Sequence, residues 1–367
     1  MKILVTRFSA LGDVAMTVPV LQAVATQNDD VELTVLSKPF CAPIFASLPP
    51  NVRFEGVDVS RAYRGVSGLR RLVRDCSVAD YDAVADLHDV LRTKYMRFYA
   101  MLHGVRVAAI DKDRAGRAAL VRQKDKCRVQ QKTSFEKYAD VFRRLGLTVD
   151  LSQVVLPVPA VANADSASLA AGLAQSAAPA GSASLAAGLA QSATPAEPSL
   201  PAIGVAPFAA HDGKIYPLEL MREVVRRLAE GGRCDIYLFG GGQKEREVLE
   251  EWEAEMPRVR SVAGRLGGLD KELELMSTLR LMLSMDSANM HLPSLVGTPV
   301  ISIWGATHPL AGFLGWRQSE ANALQVDLPC RPCSIFGNKP CLRGDYACLR
   351  QIAPEQIVAK VNDALAH

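Results

Sequence analysis

Acidic or basic side chains fall beside turns of small residues at four places in this chain, each at the end of an apolar run. The first is Arg7-Phe8-Ser9-Ala10-Leu11-Gly12-Asp13, between the run KILVT and a helical pattern. Gly12 permits a tight turn, and Asp13 falls in or beside the first helical turn, where free N–H groups favour anions. A carboxylate there can take a proton from a substrate hydroxyl or simply cap the helix, and residue type alone allows both. With a single glycine the segment is not G-x-G-x-x-G, which argues against a nicotinamide dinucleotide site.

The second place is the loop Pro207–Pro217, where Lys214 can neutralise a diphosphate as a point charge or stay solvated. The third is Phe239-Gly240-Gly241-Gly242-Gln243-Lys244-Glu245: glycines let a ligand approach the backbone, and Glu245 can accept from ribose hydroxyls or start a helix. The fourth is Ser284-Met285-Asp286-Ser287-Ala288-Asn289-Met290-His291. A strand ends at Asp286, and the small residues open a helix whose N–H groups make an anion site, with His291 on its inner face. Trp304–Pro309 ends the next strand close by. Further on, Cys330, Cys333, Cys341 and Cys348 fall within 19 residues, which fits a four-thiolate zinc site or reduced thiols packed in a loop.

These residues need strand ends and helix starts to hold them, and the pattern supplies both. KILVT, VELTVL, VRFEGV, YDAVADL, VRVAAI, PAIGVAPF, DIYLFG, LRLMLSMD and PVISIWG read as buried strands, with helical periodicity in VAMTVPVLQAVATQ, SFEKYADVFRRLGL and PEQIVAKVNDALA. Alternation of this kind predicts an α/β fold with parallel sheets covered on both faces. At 367 residues two domains are expected. Residues 1–160 form the first, 201–350 the second, and 351–367 a terminal helix. Between them, SASLAAGLAQSA occurs at 166–177 and again at 182–193, so 161–200 reads as an Ala/Ser-rich linker or insertion.

The net charge of +3 hides an asymmetry: residues 1–150 hold 24 Lys and Arg against 17 Asp and Glu. Residues 91–132 hold twelve basic residues against three acidic ones. Nucleic acid could account for this run, but residues 101–134 lack aromatics and no nucleic-acid motif is present; a phosphorylated or carboxylated glycolipid at an anionic membrane surface fits as well, and a merely solvated face is the other alternative. Arg7 and Asp13 interrupt the apolar start before a signal sequence can form, and no stretch is long and apolar enough to span a bilayer. With scattered cysteines this predicts a cytoplasmic protein, at most peripheral to the inner face of the membrane.

In order along the chain, RFSALGDVAMTVPVL, YDAVADLHDVLRT, the PF…GKIYP loop, LFGGGQKE, SMDSANMHLPSLVGTPVISIWGATHP and the terminal CRPC…C run resemble glycosyltransferase family 9, the ADP-heptose:lipopolysaccharide heptosyltransferases. The resemblance implies a GT-B fold, two Rossmann-like domains with parallel sheets facing across a cleft. It implies an inverting transfer, without metal or other cofactor, of heptose from ADP-heptose to a lipopolysaccharide core-type acceptor. Asp13 matches the general base and Lys214 the phosphate-binding lysine. Gly241, Gly242, Glu245, Asp286, Ser287, Ala288 and His291 fall on the donor side. Arg7, Ser9, Gly12, His88 and Arg92 fall on the acceptor side. Ala209 and Ala210 stand where members carry hydroxyls, and Tyr216 where they tend to carry Trp. A related transferase with another nucleotide-sugar donor, or an idle sugar-nucleotide-binding protein, are the alternatives.

Overall fold

The apolar runs become parallel strands, the central ones buried on both faces and the edge runs VRFEG and RVAA only partly covered. The computed structural model describes residues 1–59, 61–157 and 200–366, so the Ala/Ser-rich duplication lies outside the described residues. β1 (Lys2–Thr6), β2 (Glu32–Ser37), β3 (Val52–Gly56), β4 (Ala83–Asp86) and β5 (Arg106–Ala109) form one sheet in the order β3-β2-β1-β4-β5. β6 (Ala202–Ala206), β7 (Asp235–Leu238), β8 (Val259–Ser261), β9 (Leu281–Met285), β10 (Val300–Ile303) and β11 (Ala323–Leu324) form a second, in the order β11-β10-β9-β6-β7-β8. Strands β8 and β11, three and two residues long, are too short to show a period and were not legible in the sequence.

The strand orders decide where ligands can bind. β1 sits between β2 and β4, and β6 between β7 and β9, so the order in which successive strands are added to the sheet reverses beside each. Loops leaving such neighbours diverge and open a crevice at the carboxyl ends of the strands. The four loops concerned carry Asp13, His88, Lys214 and Asp286.

The described helices are α1 (Leu11–Ala15), α2 (Val18–Gln27), α3 (Gly65–Asp75), α4 (Leu91–Leu102), α5 (Arg114–Val121) and α6 (Ser134–Arg144) before the gap. After it come α7 (Leu218–Glu230), α8 (Gln243–Glu255), α9 (Leu269–Thr278), α10 (Ala288–Leu295), α11 (Ala347–Arg350) and α12 (Pro354–Ala366). The pattern VAMTVPVLQAVATQ predicts one helix, but the chain breaks it at Met16-Thr17 and restarts with Pro19 near the start of α2. Proline cannot donate to the carbonyl four residues back, so it costs least in a first turn, where that bond is missing anyway.

One apolar core runs from the first sheet into the second unit, joining Ile3, Leu21 and Phe142 to Met276, Leu292 and Trp304. Phe135 meets Trp316 edge to face, with ring centroids 5.1 Å apart. Residues 126–134 are strapped to the opposite unit. Lys126 Nζ donates to the carbonyls of Cys330 and Pro332 (2.6 and 2.8 Å), and the Gln131 and Ser134 amides donate to those of Leu310 and Gly312. No helix among the described residues is long and apolar enough to cross a membrane.

Candidate active site

Two cavities open between the sheets, and Asp13 lines both. One, of about 490 Å³, is walled by Ala209, Ala210, His211, Lys214, Gly241, Glu245 and the Asp286–Asn289 turn. The other, of about 840 Å³, is walled by Arg7, Ser9, His88, Lys112, Arg117 and Tyr138, with Phe313 and Phe336 from the opposite unit.

Asp13 does more than cap α1. Its Oδ2 accepts from the Ala10 amide (3.2 Å) and pairs with the Arg7 guanidinium, while Oδ1 has no hydrogen-bond partner among the described residues. Arg7 is itself fixed: Nη1 donates to the Leu87 carbonyl at 2.7 Å, and the guanidinium lies 5.8 Å from the Tyr138 ring centroid. One carboxylate oxygen is therefore held and the other is unengaged.

Gly12 is placed differently from the acceptor-side role its motif implies. A Cβ there would lie 2.6 Å from His291 Cδ2 and 3.3 Å from the Ala288 Cα. The glycine lets α1 press against α10 across the cleft, which sets the spacing between Asp13 and the Asp286 turn. Arg92 stays out of the cleft: Nη2 donates to the Val59 carbonyl (2.8 Å), and the residue lines neither cavity. Gly242 starts α8 and likewise lies outside the lining, which Gly240 and Gly241 supply instead.

On the opposite wall, Lys214 Nζ is 3.0 Å from Asp286 Oδ2, and Asp286 is buried. The lysine loop is clamped between backbones: a Cβ on Gly213 would meet the Gly337 carbonyl oxygen at 2.8 Å, and one on Gly337 would meet Lys214 Cγ at 2.4 Å. Tyr216 anchors the loop from behind, donating from its hydroxyl to the Ile352 carbonyl at 2.6 Å. Ser287 begins α10, so the amides of that helix's first turn face the cavity beside Lys214. Glu245 Oε2 accepts from the Gly241 amide (2.7 Å), a use in which the carboxylate fixes the glycine turn.

His88, Ser9 and Arg7 do come together. Ser9 Oγ lies 3.4 Å from His88 Nε2, and the Phe8 amide donates to His88 Nδ1 at 3.4 Å. Asp86, unassigned by the sequence reading, organises this turn. Its Oδ1 accepts from the His88 and Asp89 amides at 2.9 Å, and Oδ2 pairs with Arg97 at 3.0 Å. The other residues missed are Arg117, Phe313 and Phe336. The Arg117 guanidinium lies 5.3 and 5.6 Å from the centroids of Phe313 and Phe336, and no hydrogen bond or ion pair engages it among the described residues. Its only sequence signal was the basic run, which the structure divides: Lys112, Arg114, Arg117 and Arg122 line the cavity, while Lys126 and Arg128 hold the strap.

Three histidines are kept neutral. Burial, reinforced by Arg7 and Lys112, lowers His88 to about 3. Burial brings His291 and His308 to about 4. A lowered histidine takes up protons more readily unfolded than folded, so stability is complete above pH 6.5 and falls as pH drops toward 4. His308 Nδ1 accepts from the Leu310 amide at 3.0 Å, a cap that protonation breaks. Denaturant titrations from pH 4.5 to 7.5 are expected to show this loss, with a flatter slope for His308→Asn, which keeps an acceptor but does not titrate.

The cysteines line one small void together with Ala306, Arg343 and Tyr346. Among the described residues no three His, Cys, Asp or Glu side chains are placed to hold a metal ion. Burial raises Cys348 to about 11. The residue of consequence in this segment is Arg331, which is buried and donates to the carbonyls of Gly305 (2.6 Å), Thr307 (2.9 Å) and Trp304 (3.2 Å). Arg331→Met leaves these acceptors buried and unpaired, at about 1–3 kcal/mol each when uncompensated. The expected outcome is a loss of at least about 3 kcal/mol in equilibrium unfolding.

A carboxylate shared by two cavities, opposite a lysine and a helix start, is an arrangement for joining a hydroxyl compound to a group carried on phosphate. The whole chain superposes on solved structures of that kind. A family 9 glycosyltransferase from Veillonella parvula matches at 18% identity and TM-score 0.70, covering 100% of this chain and 97% of the other. E. coli ADP-heptose lps heptosyltransferase II matches at 16% and 0.64 (100% and 99% covered). E. coli heptosyltransferase WaaC, solved with ADP, matches at 19% and 0.64 (99% and 100% covered). The shared architecture is GT-B. A search of curated proteins gave no match. The model of glycosyltransferase family 9 (heptosyltransferase) matches residues 69–339, which take in β4 and β5 of the first sheet, all of the second sheet and the Lys214 and Asp286 loops, and the chain therefore belongs to glycosyltransferase family 9.

Proposed function

We propose that this glycosyltransferase moves heptose, or a closely related sugar, from ADP-heptose to an anionic lipopolysaccharide core-type glycolipid, with inversion and without a metal ion. The observation that carries the reading is the position of Asp13 between the two cavities. The donor occupies the cavity of Lys214 and the Asp286 turn, and the acceptor occupies that of Arg7, His88 and Arg117. Asp13 Oδ1 takes the proton of the acceptor hydroxyl as its oxygen attacks the anomeric carbon. The bond to the diphosphate breaks on the opposite face, and the departing charge is met by Lys214 and the first amides of α10. With Ala209 and Ala210 in the cavity wall, other phosphate contacts fall to backbone N–H groups and His211.

On the acceptor side, the cavity wall holds six cations, Arg7, Lys112, Arg114, Arg117, Arg122 and Lys339, against the single carboxylate of Asp13. Arg117, stacked near Phe313 and Phe336 without an ion pair among the described residues, presents its guanidinium to a phosphate or carboxylate of the acceptor. The ADP bound in the WaaC structure supports an adenine nucleotide donor. Calorimetric titration with ADP, UDP and GDP in EDTA tests it: ADP is expected to bind most tightly. Preference for UDP or GDP replaces the donor, and loss of ADP binding in EDTA overturns metal independence.

A further inference from the structure

Helices α3 and α4 lie side by side on one face of the first sheet and share a core of Leu72, Val73, Met96 and Ala100. Their outward faces are unlike the rest of the surface. Leu91, Phe98, Met101 and Leu102 of α4 are all more than half exposed, as is Val66 at the start of α3. Spacings of seven and four residues put Leu91, Phe98 and Leu102 on one helical stripe. Single exposed apolar residues are ordinary, but four on one helix are a patch. Arg70 and Arg74 of α3 and Lys94 of α4 are exposed around it, while Arg71 pairs with Asp75, donates to the Ala62 carbonyl and lies over the Tyr63 ring.

We propose that this face docks on an anionic lipid bilayer, with the α4 stripe in the boundary between headgroups and acyl chains and the arginines of α3 on lipid phosphates. An apolar stripe flanked by cations is what an interfacial helix needs. A second copy of the chain is the poorer occupant, because two-fold packing of this face would bring its cations together. The stripe also reaches the cleft: Val90, next to Leu91, lines the cavity of His88 and Arg117. An acceptor held in the same bilayer would enter there, a consequence that rests on the glycolipid reading; the docking itself does not.

Sedimentation of the full chain with vesicles tests the docking independently of turnover. Vesicles of phosphatidylcholine with phosphatidylglycerol are expected to bind it, less so as salt rises, and phosphatidylcholine alone far less. Phe98→Ser with Leu102→Ser, and separately Arg70→Ser with Arg74→Ser, should each lower partition at least about tenfold. Both pairs are exposed, so melting temperature should not move. No binding by the native chain, equal binding to both vesicle types, or native partition in either double variant overturns the proposal. A concentration-dependent dimer dissolved by F98S/L102S assigns the face to a second copy and overturns it as well. Failure of the transferase reading would appear instead as ADP binding or turnover absent from a chain that still docks.

Discussion

Asp13→Asn should lower kcat roughly 10²–10⁴-fold while leaving nucleotide affinity within about twofold. The size follows from what the change removes. Asparagine keeps the shape of the side chain and an acceptor for the Ala10 amide, which lies 3.2 Å from Oδ2. It cannot take the proton of a hydroxyl at neutral pH. The proposed donor contacts are untouched, since Lys214 and the Asp286 turn stand on the other wall. Arg7 loses its ionic partner but keeps the Leu87 carbonyl at 2.7 Å, so a thermal melt should accompany the kinetics. Native turnover in a folded D13N protein would remove Asp13 from the role of base and return it to capping α1.

The second large effect is expected at Lys214. Lys214→Met should lower kcat roughly 10²–10³-fold, because the leaving diphosphate loses its nearest positive charge. The protein should also lose about 3–5 kcal/mol of stability, because Asp286 is left charged, buried and unpaired. The two consequences separate in a double variant. Lys214→Met with Asp286→Asn removes both charges and should recover most of the stability without recovering transfer. If transfer returns with stability, Lys214 serves the fold of the loop and not the leaving group. The comparison is informative because Gly213 and Gly337 fit the loop so closely that shape and charge would otherwise be confounded.

Much of the framework was legible from local pattern. Nine of the strands coincide with short apolar runs, because a strand covered on both faces has to be apolar nearly throughout. Asp13, Lys214, Glu245 and Asp286 stood out because polar residues after such runs occupy the carboxyl ends of strands, where ligands bind. Asp86 also ends an apolar run, yet its work is done through Arg97 and the His88 turn, partners that no nearby spacing reveals. The basic run 91–132 announced charge without assigning it; one part lines the cavity and another straps the two units together.

The sequence by itself determined the parallel α/β architecture, the order of its elements and the chemical types available at each strand end, because these follow from local periodicity and residue chemistry. Tertiary structure decided which of those groups meet. It placed Asp13 between two cavities, turned Arg92 away to Val59, set Gly12 against His291, and closed Phe313 and Phe336 over an arginine from the other sheet. Those placements depend on the strand orders and on packing between residues far apart in the chain, where its local pattern carries no information.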